Sequence, residues 1–421
     1  MKIIADFHLH SKYSRATSHD MDVDHLNQWA RLKGIHILGT GDFTHPLWLK
    51  ELKEKLEPAE QGLYCLKGNQ QNNLLPRFIL TSEISCIYSK NNRVRKIHIL
   101  VFAPSFDVVE KINTQLSWIG NLKADGRPIL GLDAKELAKI VLNISDQCLI
   151  VPAHVMTPWF GIFGSKSGFN SLAECFDEYA QYIYGLETGL SADPPMLWRI
   201  PDGREKTLIS NSDAHSPSRI GREANVFEIN DRDSLNYQQV VKIIKTRQGF
   251  LKTVEFFPQE GKYHYDGHRN CGISFSPEET KNHKGICPKC GRPLTIGVLN
   301  RIEELADKSA DQEVSGVIPF IHLVPLEEII ADALGVGVAS KAVAQQYNQL
   351  IERLNNEFYI LLEAGQEEIS YASSPEIAEG VIRVRQGNVK VKPGFDGEYG
   401  QIKIFGSDEL KSINKQGSLF D

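Results

Sequence analysis

The sequence predicts an α/β protein: a βα barrel of seven strands, a small cysteine-rich insert and a C-terminal, mainly helical module. Three observations carry the prediction. Short apolar runs that end in His, Asp or Glu recur through the first 256 residues, and most alternate with stretches of helical periodicity. After Glu255 the texture changes to a Gly-, His- and Cys-rich segment holding Cys271, Cys287 and Cys290. Beyond residue 299, apolar positions fall at helical spacing until two short basic runs near the end. The boundaries are 1–256 for the barrel, 257–298 for the insert, 299–406 for the helical module with its terminal hairpin, and 407–421 for a flexible tail.

The chain has 421 residues, with Lys+Arg 47 and Asp+Glu 53, a net charge of -6. Bulk charge therefore does not advertise nucleic-acid binding, although a local cationic face remains open. The N-terminus enters a strand without a basic-then-apolar leader, and no apolar run reaches membrane-span length. A soluble, cytoplasmic protein is expected. Cys65, Cys86, Cys148 and Cys175 are scattered in apolar or mixed surroundings and read as inert buried thiols.

The first strand ends in Asp6-Phe7-His8-Leu9-His10-Ser11. Strand alternation puts His8 and His10 on one face, half of a metal site on a rigid element. Residues 22–33 form a helix ended by Gly34, and 35–38 a strand that delivers Asp42 and His45. A helix over 48–56 follows. Strand 77–81 ends at Glu83. The tight turn Lys90-Asn91-Asn92-Arg93 leaves no room for a crossover helix, so the strand with His98 returns as a hairpin. Strand 147–151 ends at Pro152-Ala153-His154, strand 182–186 at Glu187, and strand 207–210 at Ser212-Asp213-Ala214-His215.

Barrels gather chemistry at the C-terminal ends of their strands. The converging set is His8, His10, Asp42, His45, Glu83, His98, His154, Asp213 and His215. Any one of these could be a hydrogen-bonded core residue. Together they exceed one ion's needs and imply two or three. Imidazole plus carboxylate without thiolate suits zinc, manganese or iron. Ions a few Å apart suit phosphoester hydrolysis.

In the insert, Cys271 and the pair Cys287-Pro288-Lys289-Cys290-Gly291 follow His264 and His268. H-x₂-C…C-x₂-C is a zinc-ribbon spacing, with His268 fitting the knuckle and His264 as the alternative. A closed set of three thiolates and one imidazole is a structural site.

In the last third, residues 325–334 read as a helix, broken by Gly335-Val336-Gly337-Val338. That break is either a helix-hairpin-helix or an ordinary Gly-rich turn. Residues 340–363 read as one long amphipathic helix. Ile382-Arg383-Val384-Arg385 and Val389-Lys390-Val391-Lys392 alternate basic and apolar residues. As strands they present a cationic face that contacts phosphates or is simply solvated.

The barrel motifs resemble the PHP (polymerase and histidinol phosphatase) family: Asp6-x-His8-x-His10-Ser11, Gly41-Asp42, Glu83, His98, Pro152-Ala153-His154 and Ser212-Asp213-Ala214-His215. The resemblance implies a distorted seven-stranded barrel with up to three divalent ions. His8, His10, Glu83 and Asp213 would hold one, Glu83 would bridge to a second with His98 and His154, and His215 would serve a third with His45 or Asp42. Phe43, rather than the His common in that family, follows Asp42.

The order of barrel, ribbon, helical module and Pro393-Gly394-Phe395-Asp396-Gly397-Glu398-Tyr399-Gly400 is similar to the endonuclease Q family of DNA-repair enzymes. That resemblance implies cleavage of DNA on the 5′ side of uracil, hypoxanthine, xanthine and abasic sites, in the nucleoid. It implies two to three divalent ions in the barrel (zinc, manganese or magnesium) and one structural zinc. Asp213, His215 and Arg15 are the catalytic candidates, Arg15 for the non-bridging oxygens. Trp159 and Phe163 would stack on a flipped base or pack in the core. Arg383, Arg385, Lys390 and Lys392 would meet phosphates. Small-molecule phosphatase and non-catalytic DNA-binding scaffold are the competing functions. The C-terminal Gln416-Gly417-Ser418-Leu419-Phe420 resembles a peptide for the bacterial β sliding clamp, with Leu419 and Phe420 in an apolar pocket and Gln416 at its rim.

Overall fold

The structure is a computed structural model that describes residues 1–68, 76–231, 234–310 and 312–406. Strand β1 (Lys2–Asp6) pairs in parallel with β2 (Ile37–Gly39), and β2 in parallel with β3 (Arg77–Lys90). β3 turns at Asn91 and Asn92 into β4 (Arg93–Ala103), which runs antiparallel to both β3 and β5 (Leu149–Pro152). Both turn residues have left-handed φ, 55° and 57°, a conformation asparagine tolerates and a two-residue hairpin requires. β6 (Gly185–Glu187) and β7 (Thr207–Ile209) form a parallel pair. Val155 N–H donates to the Glu187 carbonyl at 3.0 Å, joining β5 to β6. His10 N–H donates to the Ala214 carbonyl at 3.0 Å, and Phe7 N–H to Asn211 Oδ1 at 2.9 Å, so the ends of β7 and β1 meet. On the other side of β1 lie β8 (Ala224–Glu228), β9 (Phe250–Glu255) and β10 (Phe320–His322).

The sheet is mixed and buries both faces. Ile3, Ala5, Phe7, Ile37, Ile79, Leu100, Phe102, Leu149, Val151 and Ile209 share one core, closed by the helix Tyr237–Thr246. Leu38, Phe78, Leu80, Val101 and Ile150 point the other way, into a second core. The helices Val23–Lys33, Pro46–Lys55 and Ala134–Ile144 supply buried side chains to that second core. Among the described residues no helix is long and apolar enough to cross a membrane.

The structure departs from the sequence reading in four places. β3 runs unbroken for 14 residues, so Glu83 and His98 sit inside a long hairpin rather than at strand ends. The expected helix over 340–363 is two helices, Lys341–Leu354 and Glu357–Leu362. Asn355 takes φ 77°, and the Asn356 side chain accepts Tyr359 N–H to start the second. Arg383 and Arg385 lie on the helix Pro375–Arg385, not on a strand. Ser374 caps that helix and Pro375 opens it. Its buried Ile377, Ala378, Val381 and Val384 follow the 3.6 period that a four-residue window cannot separate from alternation. Finally, β10, in a stretch expected to be mainly helical, pairs with β9 and extends the main sheet.

The C-terminal helices are also tied to the helix Val23–Lys33 by charge. Buried Lys33 contacts Glu357 at 2.7 Å, and Glu357 also accepts from Tyr347 OH and Leu326 N–H.

Candidate active site

On β3, Ile79, Thr81 and Glu83 share a face by strand alternation; on β4, Phe102, Leu100 and His98 do. Following the hairpin outward, that face changes from apolar core to ligand-type side chains. Glu83 Oε2 lies 3.5 Å from His8 Nε2 and 3.2 Å from His10 Nε2. Asp213 Oδ1 is 3.7 and 3.1 Å from the same two nitrogens. The other Glu83 oxygen, Oε1, is 2.7 Å from His98 Nδ1 and 2.9 Å from His154 Nε2. The two groups, His8–His10–Glu83–Asp213 and Glu83–His98–His154, share one carboxylate, and the ligand atoms within each lie within 4.8 Å of one another.

His8 Nε2, His10 Nε2 and Asp213 Oδ1 are buried without a hydrogen-bond partner. Such orphans are costly unless something else satisfies them. The opposite ring nitrogens, by contrast, are braced. His8 Nδ1 bonds both Glu187 oxygens at 3.0 Å, His10 Nδ1 bonds Asp42 at 3.0 Å, and His154 Nδ1 bonds Thr157 Oγ1 at 2.6 Å. Each brace fixes a tautomer with a bare nitrogen aimed inward, the pattern of metal-binding imidazoles. Glu187 is itself held by His154 N–H and Asn211 Nδ2, both at 2.8 Å. Asp42 (φ 48°), His154 (φ 30°) and Asp213 (φ 47°) all take left-handed backbone, which the surrounding bonds maintain.

Burial works against the Glu83 charge, but His98, Arg127 and His8 hold its carboxyl well below the usual range. Burial pushes His98 down to about 4 against the pull of Glu83, so its imidazole stays neutral. Against burial, Glu187, Glu83 and Asp213 raise His8 and Asp42, Asp213 and Glu83 raise His10, both well above the ordinary imidazole value, so a divalent cation would bind there by displacing protons.

A further group is separate. His268, Cys271, Cys287 and Cys290 bring their ligand atoms within 4.8 Å. Gly291, at φ 73°, turns the chain after the second knuckle, and its N–H donates to the Cys287 carbonyl. His264 lies outside the group. It is buried in the ribbon stem, where burial lowers its pKa to about 4.

Two solved structures match over nearly the full chain. One is the lesion-specific endonuclease PfuEndoQ from Pyrococcus furiosus: 32% identity, TM-score 0.85, 99% of each chain covered. The other is an endonuclease Q in complex with a 27-mer duplex carrying an abasic lesion at the active site: 32% identity, TM-score 0.83, 98% of each covered. The chain belongs to the endonuclease Q family. Membership makes it a metal-dependent nuclease. This endonuclease Q sequence is also 29% identical to the uncharacterized protein YqxK of Bacillus subtilis, covering 96% of this chain and 99% of that one. It is 35% identical over 252 residues to the uncharacterized protein MJ0043 of Methanocaldococcus jannaschii, of whose length the match spans 31%. Residues 325–388 match the family described as MJ0043 C-terminal domain.

Several predicted site residues lie elsewhere in this endonuclease Q chain. Asp42 spends its oxygens on His10, Ser11 and Ser14, and His45 stacks on Tyr13 at 4.5 Å. His215 sits against His10 at 4.6 Å, with Nδ1 on the Asp213 carbonyl. No third ligand group forms from these three among the described residues, because Asp42 serves as a brace. Arg15 is largely exposed and pairs with Asp125 at 3.2 Å. Phe163 is fully buried in the core, so it offers no face to a base; Trp159 is 41% exposed. Arg385 donates to the Ile360 and Leu361 carbonyls and Arg383 to Glu379, so both are occupied structurally. Lys390 and Lys392 lie on an exposed strand and line a groove with Lys403 and Gly335. Gln416, Leu419 and Phe420 lie outside the described residues.

Three residues that hold the candidate site's geometry escape sequence reasoning. Glu187 and Asn211 end strands but read as surplus to the ligand count. Arg127 follows a loop with no motif, yet its Nη1 lies 3.0 Å from Glu83 Oε2.

Proposed function

We propose that this chain is a DNA-repair endonuclease acting at the mouth of a PHP-type seven-stranded barrel. It hydrolyses the phosphodiester on the 5′ side of uracil, hypoxanthine, xanthine and abasic sites. The observation that carries this reading is the pair of ligand groups sharing Glu83, in a chain that aligns end to end with an endonuclease Q bound to abasic-site DNA. The orphaned nitrogens of His8 and His10 and the Asp213 oxygen fit divalent cations. One ion would be held by His8, His10, Glu83 and Asp213, the other by Glu83, His98 and His154. Bound ions would supply Lewis acidity at the phosphoryl group and an acidified water.

The chain's own residues do the rest. Glu187, Asp42 and Thr157 keep the imidazoles pointed inward. Arg127, fixed on Glu83, places a permanent positive charge beside the phosphoryl oxygens, a role Arg15 can share only from the rim. His215, tied through Nδ1, leaves Nε2 to take or return a proton as the 3′ oxygen departs. The His268–Cys271–Cys287–Cys290 set is closed and suits one structural zinc. Residues 1–256 are the catalytic unit, 257–298 the ribbon, and 299–406 a DNA-binding module whose groove lysines Lys390 and Lys392 meet phosphates.

A labelled duplex with one uracil, incubated with Mg²⁺ or Mn²⁺, tests the reading beside a generic phosphatase substrate. The expected result is one cut 5′ to uracil, leaving a 3′-hydroxyl and a 5′-phosphate. Turnover of the phosphatase substrate alone would make the chain a phosphatase, and binding without cutting a scaffold. The tail carries a proposal of its own: Gln416, Leu419 and Phe420 dock on the bacterial β sliding clamp. Leu419→Ala with Phe420→Ala should abolish co-elution with clamp and leave oligonucleotide cleavage intact.

A further inference from the structure

Exposed Trp159, the ribbon stem around Tyr263 and the turn 393–400 play no part in the proposed function. The fold joins them into one strip that begins at the metal ligands. The Phe160 ring lies 4.3 Å from the His98 ring, and its carbonyl accepts His98 N–H at 2.9 Å. Its neighbour Trp159 meets Tyr263 edge-on at 5.8 Å. The Tyr263 hydroxyl lies beside Gly397, 3.8 Å from where a side chain would begin, and Gly397 N–H donates to the Lys262 carbonyl at 2.9 Å. Gly397 has φ 88°, so a side chain there is strained although its neighbours leave room for one. The Lys262 ammonium lies 4.5 Å over the ring of Tyr399, which is 71% exposed. Arg269 comes within 3.5 Å of the same Gly397 position, and its N–H donates to Asp396 at 2.6 Å.

Aromatic faces thus alternate with cations along a path that leaves the metal centre. Apolar rings exposed to this degree gain nothing from water. They also cannot read a closed duplex, whose base faces are already stacked. A nucleotide extruded for cleavage, however, leaves its neighbours unstacked. We infer that this strip is a second DNA subsite, which holds the strand leading away from the lesion. Its unstacked bases lie on Trp159 and Tyr399, and its phosphates lie against Lys262 and Arg269. The inference rests on the DNA reading above.

The test uses the full chain and a uracil duplex with an uncleavable linkage 5′ to the lesion, with 2-aminopurine at each neighbouring position in turn. The parent should quench the probe on one flank. Tyr399→Ala should restore that fluorescence, weaken binding about tenfold and, on the same duplex with a cleavable linkage, raise KM with kcat unchanged. Tyr399→Phe, which keeps the ring, should match the parent. Should Tyr399→Ala bind and quench like a parent that cuts uracil DNA, the subsite is wrong and the endonuclease reading stands. An equal defect in Tyr399→Phe would also overturn stacking. A parent that neither binds nor cuts the cleavable duplex overturns both.

Discussion

In the two groups that share Glu83, six ligand-type side chains arrive from five separate stretches of chain. His8, His10 and His154 among them are each braced by a partner outside the group. In the second group, His268 and Cys271 sit at the junction of two strands three residues long, Cys287 and Cys290 lie in a turn on no strand, and Cys290 is exposed. The cores of the main sheet and the braces set the first arrangement before any ion enters. The ribbon has little core of its own, so its metal would supply most of its folding free energy. The same ligand chemistry is therefore expected to fail in opposite ways when disturbed.

Asp213→Asn gives the largest effect. It removes a buried carboxylate oxygen with no other partner, so cleavage of uracil DNA should fall below detection while DNA affinity and melting temperature stay near the parent's. Full turnover would remove Asp213 from the ligand set. Cys287→Ser with Cys290→Ser should break the other half of the comparison. Metal analysis should show one zinc fewer per chain and unchanged barrel metal, with weaker DNA binding. An unchanged zinc count would rule out the ribbon site.

Glu187→Gln sharpens the contrast, because it touches a brace and leaves every ligand in place. Barrel metal affinity should fall about 10- to 100-fold, with the ribbon zinc retained. Titration of metal-free protein, read by calorimetry, separates this from loss of fold.

The smallest effect concerns the junction of ribbon stem and helical module. Burial, with Glu328 nearby, pushes the Glu260 carboxyl from 4.5 up to about 8. The folded state therefore holds this proton more tightly than the unfolded chain. The stability it contributes is complete below about 4.5 and is lost as pH rises toward 8. The parent's melting temperature should decline across that window more steeply than that of Glu260→Gln. Parallel curves would assign the slope to other groups.

Features encoded by short-range spacing are legible without the fold. The Asn91-Asn92 hairpin, the helix starts at Asp22 and Ser340, and the close pairing of His268 with Cys271 and Cys287 with Cys290 need only neighbours within a few residues, and all are in place; His8 and His10 also come together, but just past the end of β1 at Asp6 rather than on it. Register and long-range contact belong to the tertiary structure. The hairpin's overshoot turns Glu83 into the residue common to both groups. Glu187 meets His8 and Asp42 meets His10 from stretches distant in sequence, so each braces an imidazole, and a motif-free loop delivers Arg127. Ile382-Arg383-Val384-Arg385 fits a strand and a helix equally well over four residues. Only the burial of Ile377, Val381 and Val384 against the rest of the module selects the helix and turns both arginines toward carbonyl and carboxylate partners. A side chain's identity limits what it can bind, but the partner it meets depends on which distant strand the fold sets beside it.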